Sequence, residues 1–195
     1  MNQLEQSASD ARNEAFRRLG RNLYLVQLIE HQLKHLVVHS SMHGYPEELQ
    51  RNQARKVKRA RKESMGKLAD RVTAAVFRGE SDEGVQPRDP NKSWVSFAFR
   101  IDADQEFIEQ RKKELRRLVR QRNSLIHAAA ADIRPDDADK WVELGAFLDA
   151  QRAELVAEHE KLRLLIKGLA EMAKDAGEAI ERELLADEKN APRSG

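Results

Sequence analysis

An all-α fold is what this sequence predicts, on three observations. Ala, Leu, Glu, Lys and Arg dominate, and these side chains lose little conformational freedom in a helix. Aromatic residues make up only 5% and β-branched residues are scarce. Apolar residues also recur at spacings of three, four and seven over most of the chain, the period of a helix with one buried face. At 195 residues the chain can enclose one sizeable core. A single helical domain is therefore expected over residues 9–186, with residues 1–8 disordered and 187–195 a frayed tail.

The first helix begins near Ser9, where "DARNEAFRRLGRNLYLVQLIEHQLKHLVVHS" carries Leu19, Leu23, Val26, Leu33 and Val37 in register. Position 30 of that register is Glu30, with Lys34 one turn later, the spacing of a surface salt bridge. His31, His35 and His39 repeat at i,i+4 beside Lys34 with no carboxylate among them, so no metal site is expected. They read as surface groups or as the lining of a nucleic-acid groove. "MHGYPEELQ" stops the helix and starts another, since Gly44 tolerates positive φ and Pro46 suits a first helical position.

A second helix is expected through "EELQRNQARKVKRARKESMGKLADRVTAAVFR". Its middle, "RNQARKVKRARK", holds seven basic residues and no acidic one. Arg55, Lys58, Arg59 and Lys62 form either a solvated face or a strip for phosphates. Residues 79–93, "GESDEGVQPRDPNKS", gather Gly, Pro, Asp and Ser and read as a mobile insertion, a reasonable place for partner contact. A short extended segment near 94–101 follows in "WVSFAFRI". No second strand signal accompanies it, so its aromatics are expected to pack on the helices or to pair across a dimer.

The third helix covers about Ala103 to Ala130 and ends at "DIRPDDADKW", where Pro135 stops it and Asp136 or Asp137 caps the next. The last helix repeats Trp141, Leu144, Leu148, Leu155, Leu162, Leu169 and Ala176 close to a heptad seam. Such a seam packs against another long helix, in this chain or in a partner. The expected architecture is a bundle of long antiparallel helices.

Composition narrows the function. Lys and Arg number 35 against 33 Asp and Glu, a net charge of +2, so any case for nucleic acid rests on where charge is placed. Absence of cysteine excludes disulfides and thiolate metal sites and fits a reducing, cytoplasmic setting. No secretory pattern opens the chain and no eighteen-residue apolar run occurs, so no membrane span is expected. Neither a Gly-rich phosphate loop nor a hydrolase nucleophile motif is present, and no cofactor is expected.

One hexapeptide carries chemistry. On a wheel of the third helix, Ile108, Leu115, Val119 and Ile126 share a stripe flanked by Leu118 and Leu125, and Arg122 falls inside it. A guanidinium there is costly unless paired or at a wet interface. Arg116, Arg120, Asn123 and His127 form an adjacent ridge. Arg122 and His127 differ in direction by roughly 140° and in height by about 7.5 Å on an ideal helix. One site is then built either by distortion at the helix end or by two copies of the helix meeting at a dimer interface that also buries the stripe. Arg offers a fork of donors to a phosphorane-like charge, and His exchanges protons near neutral pH.

"RNSLIH", late in a helix of a small all-α protein, resembles the Arg-to-His motif of the HEPN superfamily, in which four to six residues separate the two and the second position is polar, here Asn123. The helical frame resembles that family over roughly residues 9–180, although only the hexapeptide is specific. The resemblance implies a HEPN-like bundle and a metal-independent endoribonuclease, usually a homodimer. In it Arg122 binds the scissile phosphate, His127 acts as acid or base, Asn123 orients one of them, and the product ends in a 2′,3′-cyclic phosphate. It implies RNA as the substrate; the placement of charge then offers Arg116, Arg120 and the strip Arg55, Lys58, Arg59 and Lys62 as the groups expected to hold its backbone. It also implies a role as a toxin or antiphage-defence effector silenced by an antitoxin or regulatory partner. Family toxins paired with a nucleotidyltransferase carry a Tyr two residues after the His. Here Ala129 stands there, so control by modification of that Tyr is not expected. The alternative is a noncatalytic helical module that binds nucleic acid or protein.

Overall fold

A computed structural model describes residues 3–78, 87–89, 91–127 and 130–190. The described chain is all-α apart from one two-stranded ribbon. Its elements are α1 (Gln3–His39), β1 (Ser41–Gly44), α2 (Pro46–Ala60), α3 (Met65–Val72), a π-helical turn (Thr73–Phe77), β2 (Val95–Ala98), α4 (Gln105–His127) and α5 (Ala138–Asn190). Residues 79–86 and 90 of the expected insertion, Ala129, and 191–195 of the expected tail lie outside the described residues. Helix begins earlier and ends later than the sequence reading placed it: α1 includes 3–8, with Ala8 buried, and α5 runs to Asn190.

The heptad seam of α5 closes on α1. Trp141, Leu144, Leu148, Leu155, Leu162 and Leu169 are all buried, and they face Ala15, Val26, Ile29, Leu33 and Leu36. Arg21 bonds Asp149 at 2.6 Å, Asn22 donates to the Leu148 carbonyl at 2.7 Å, and Gln32 donates to the His159 carbonyl at 3.2 Å. These partners climb together, so the two longest helices run parallel. The expected antiparallel arrangement holds instead for α4, whose Glu114 meets Lys161 and whose Gln121 meets Glu154. Spacing of apolar residues does not encode direction; the crossover through α2, α3 and α4 returns the chain to its starting end before α5 begins.

In mid-seam a polar layer interrupts the apolar one. The fully buried Asn22 donates to the Gln151 side chain at 3.1 Å as well as to the Leu148 carbonyl. One buried amide pair disfavours shifted registers, where each partner would face leucine without a hydrogen bond.

The extended segment has a partner in its own chain. β2 pairs antiparallel with β1, in the register Ser41 to Ala98 through Gly44 to Val95, and the Phe99 amide donates to the Ser40 carbonyl at 2.7 Å. Packing on helices alone or pairing across a dimer is therefore corrected. Four residues, "SMHG", are too few to show strand alternation. Gly44 closes the ribbon at φ 145°, and an added Cβ would meet the Asn52 amide at 3.0 Å. Pro46 opens α2 as expected.

The single second helix of the sequence reading is two. α2 ends at Ala60, and Ser64 caps α3 by accepting from the Lys67 amide. The π-helical turn then widens the end of α3. Its freed Val76 carbonyl accepts from the Ile101 amide at 2.9 Å, which ties the exit of β2 to this point.

α4 closes the bundle, capped by Asp104, whose carboxylate accepts from the Phe107 amide at 2.7 Å. Its buried line is Ile108, Arg111, Leu115, Leu118 and Leu125. Leu118 and Leu125 thus belong to the chain's own core and are not free for a dimer interface. Val119 lies half-buried near Gly66, and Ile126 points out at 46% exposure. Of the two capping candidates before α5 it is Asp137 whose side chain accepts, from the Lys140 amide at 3.1 Å.

Candidate active site

α4 continues as regular helix through His127, so it does not bend to converge Arg122 and His127. Arg122 is half-buried, whereas Asn123 and His127 are exposed on another side. The Arg122 guanidinium donates to the Asn123 side chain at 3.2 Å. Among the described residues it meets no carboxylate within ion-pair distance.

Arg122 faces a groove of about 480 Å³ between α1 and α4. Glu30, His31 and Lys34 line the α1 wall and Arg122 and Ile126 the α4 wall, over a floor that includes Val26. Lys34 holds Glu30 at 2.7 Å, as the sequence spacing anticipated. That pairing occupies the one carboxylate among the described residues that line the groove. A half-buried guanidinium left with only a neighbouring amide retains donors for an incoming anion.

Histidines of α1 divide into two environments. The His35 and His39 rings lie 4.4 Å apart, and His39 Nδ1 is 3.0 Å from the Gln53 amide nitrogen. Burial holds both below the usual imidazole range, and for His35 the charges of His39 and His31 push the same way. His31 instead lines the Arg122 groove. No cluster of three potential metal ligands occurs among the described residues.

Other residues anticipated for RNA are scattered over the surface. Arg116 and Arg120 are exposed on α4, with Arg116 3.4 Å from Asp70. Arg55, Lys58, Arg59 and Lys62 are exposed along α2 and the turn after it. Arg59 pairs with Glu63 at 3.0 Å, which also takes Arg71 at 2.7 Å. Burial raises the Glu63 carboxyl, and the two guanidiniums overcome that and hold it below its usual range.

One cationic site escaped the sequence reading. Arg111 is 5% exposed, grips Glu158 through two nitrogens at 3.0 and 2.7 Å, also bonds Glu114, and lies 5.9 Å from the Phe77 ring. Burial alone lowers the tendency of Arg111 to stay charged, but Glu158 and Glu114 more than reverse it. Glu114 is raised by burial yet drawn down to about 2 by hydrogen bonds from Lys161, Gln110 and Arg111. The signal was present: 108, 111, 115, 118, 122 and 125 follow the helical period, with two arginines standing where apolar residues are expected.

Compared with protein-family models, with curated proteins and with solved structures, the chain matches none. No helix among the described residues is long and apolar enough to cross a membrane.

Proposed function

We propose that this protein is a metal-independent endoribonuclease of HEPN type, acting as a homodimer and serving as a toxin or antiphage-defence effector under the control of a partner protein. The observation that carries the reading is Arg122: half-buried, in a groove, and without the carboxylate that Arg18, Arg21, Arg71 and Arg111 each have. Arg122 neutralises the scissile phosphate while the ribose 2′-oxygen attacks phosphorus. His127 exchanges a proton with the reacting oxygens, and Asn123 holds the guanidinium in place. Since α4 is helical through His127 and turns Arg122 and His127 to different sides, His127 of a second copy approaches the first copy's Arg122, which is the reason for a dimer. The exposed Ile126 at the groove edge gives that copy an apolar contact.

A noncatalytic nucleic-acid-binding module is the second reading, favoured by the exposed cations Arg55, Lys58, Arg59 and Lys62. RNA incubated with purified protein in excess chelator separates the two. The nuclease cleaves, leaves 2′,3′-cyclic phosphate ends, and loses activity in Arg122→Ala and His127→Ala. Intact RNA, or equal cleavage by both variants, eliminates it and leaves the binding module.

A further inference from the structure

We infer that His31 is a second proton-transfer group of this site, contributed by the same chain as Arg122. The inference rests on the ribonuclease reading and adds to it a residue that the hexapeptide does not contain. Cleavage by 2′-oxygen attack moves two protons. The P–O2′ bond forms as the P–O5′ bond breaks, one group takes the 2′-hydroxyl proton, and another gives a proton to the departing 5′-oxygen. His127 can fill only one of these roles on a given phosphate.

The α1/α4 groove holds an imidazole ready for the other. His31 and Arg122 line the same 480 Å³ cleft from opposite walls, so a phosphate held by the guanidinium is enclosed on its α1 side by His31. The remaining histidines of the ladder are engaged elsewhere, His35 against His39 and His39 against Gln53. His31 makes no hydrogen bond among the described residues and is exposed to the groove, so its ring nitrogens are available to a ligand. The charged groups that share the cleft are Glu30 and Lys34 on α1, already paired to each other, and Arg122 on α4; His35 lies one turn along α1. Among the described residues, His31 is thereby the one uncommitted acid–base group that lines the groove with Arg122 in the same chain.

The test is the pH–rate profile of RNA cleavage in excess chelator for wild type, His31→Gln, His127→Gln and His35→Gln. Wild type should give a bell, with one limb from each proton-transfer group. His31→Gln should fall about a hundredfold or more at the optimum and lose one limb, and His127→Gln should lose the other. His35→Gln should keep the wild-type profile, and His31→Gln and His127→Gln should keep the wild-type melting temperature, since both side chains are exposed. The inference is overturned if His31→Gln retains both limbs, or if it loses the same limb as His127→Gln. If Arg122→Ala and His127→Gln abolish cleavage while His31→Gln does not, only this inference fails. If the wild type leaves RNA intact, the ribonuclease reading fails with it.

Discussion

Arg111 and Arg122 stand eleven residues apart on α4, which on an ideal helix brings them within roughly 20° of one another. They leave the helix in nearly the same direction and meet different surroundings. Toward Arg111, α5 presents Glu158, α4 itself presents Glu114, and the π-helical turn lays the Phe77 ring alongside. Toward Arg122, α1 presents a groove whose one carboxylate is already held by Lys34. The first guanidinium is consumed by the fold. The second bonds the Asn123 side chain and keeps N–H donors that no carboxylate among the described residues occupies. Position on a helix therefore decides where a side chain points, and the neighbouring helix decides what it is for.

The largest effect expected from breaking this contrast is on the paired site. Glu158→Ala leaves Arg111 buried with Glu114 as its remaining carboxylate, and stability to urea should drop by about 3 kcal/mol. Replacing both Arg111 and Glu158 by methionine should recover most of that loss, because no buried charge is then left unmatched. If the double variant is no more stable than Glu158→Ala, the pair is not what makes the single change costly.

A smaller effect should appear with acid. The folded-state carboxyl of Glu114 is held down to about 2, below the 4.5 it has when unfolded. Its contribution is complete above about pH 4.5 and is lost as pH falls toward 2, because the unfolded chain then binds the proton first. The urea midpoint should decline over that window, and Glu114→Gln should flatten the decline. An unchanged slope in that variant would place the acid sensitivity elsewhere.

Smaller still is the expected consequence for stability at the unpaired site. Asn123→Ala removes one exposed hydrogen bond to Arg122, so the melting temperature should shift by less than the equivalent of about 0.5 kcal/mol. Cleavage should nevertheless fall severalfold, since the guanidinium loses the one hydrogen bond it makes among the described residues. A loss of stability comparable to that of Glu158→Ala would make Asn123 a structural residue.

Much of this arrangement is legible in the sequence, and the misses have physical causes. Heptad spacing in α5 marked Trp141, Leu144, Leu148, Leu155, Leu162 and Leu169 of its buried seam, but not the buried Gln151 and Glu158, and it included Ala176, which is only half-buried; Gly44 with Pro46 marked the turn into α2. The direction of α1 against α5 was not legible, because apolar spacing is the same for parallel and antiparallel partners. β1 was missed because four residues carry no periodicity. At the site, Arg122, Asn123 and His127 were singled out by their motif, and their separation around the helix followed from arithmetic alone. Arg111 was overlooked because a charged residue in an apolar register lowers the apparent periodicity instead of marking it. His31 was read as one rung of a ladder, and only the packing of α4 on α1 separates it from His35 and His39.

The central claim is that Arg122 serves a ligand and Arg111 serves the fold. It is tested most directly by measuring RNA cleavage and thermal unfolding on one preparation of Arg122→Ala. Cleavage should fall by about a hundredfold or more, as when an electrostatic donor is removed from a reacting oxyanion, with the melting temperature within a few degrees of wild type. A folded Arg122→Ala protein that cleaves RNA at the wild-type rate contradicts the account.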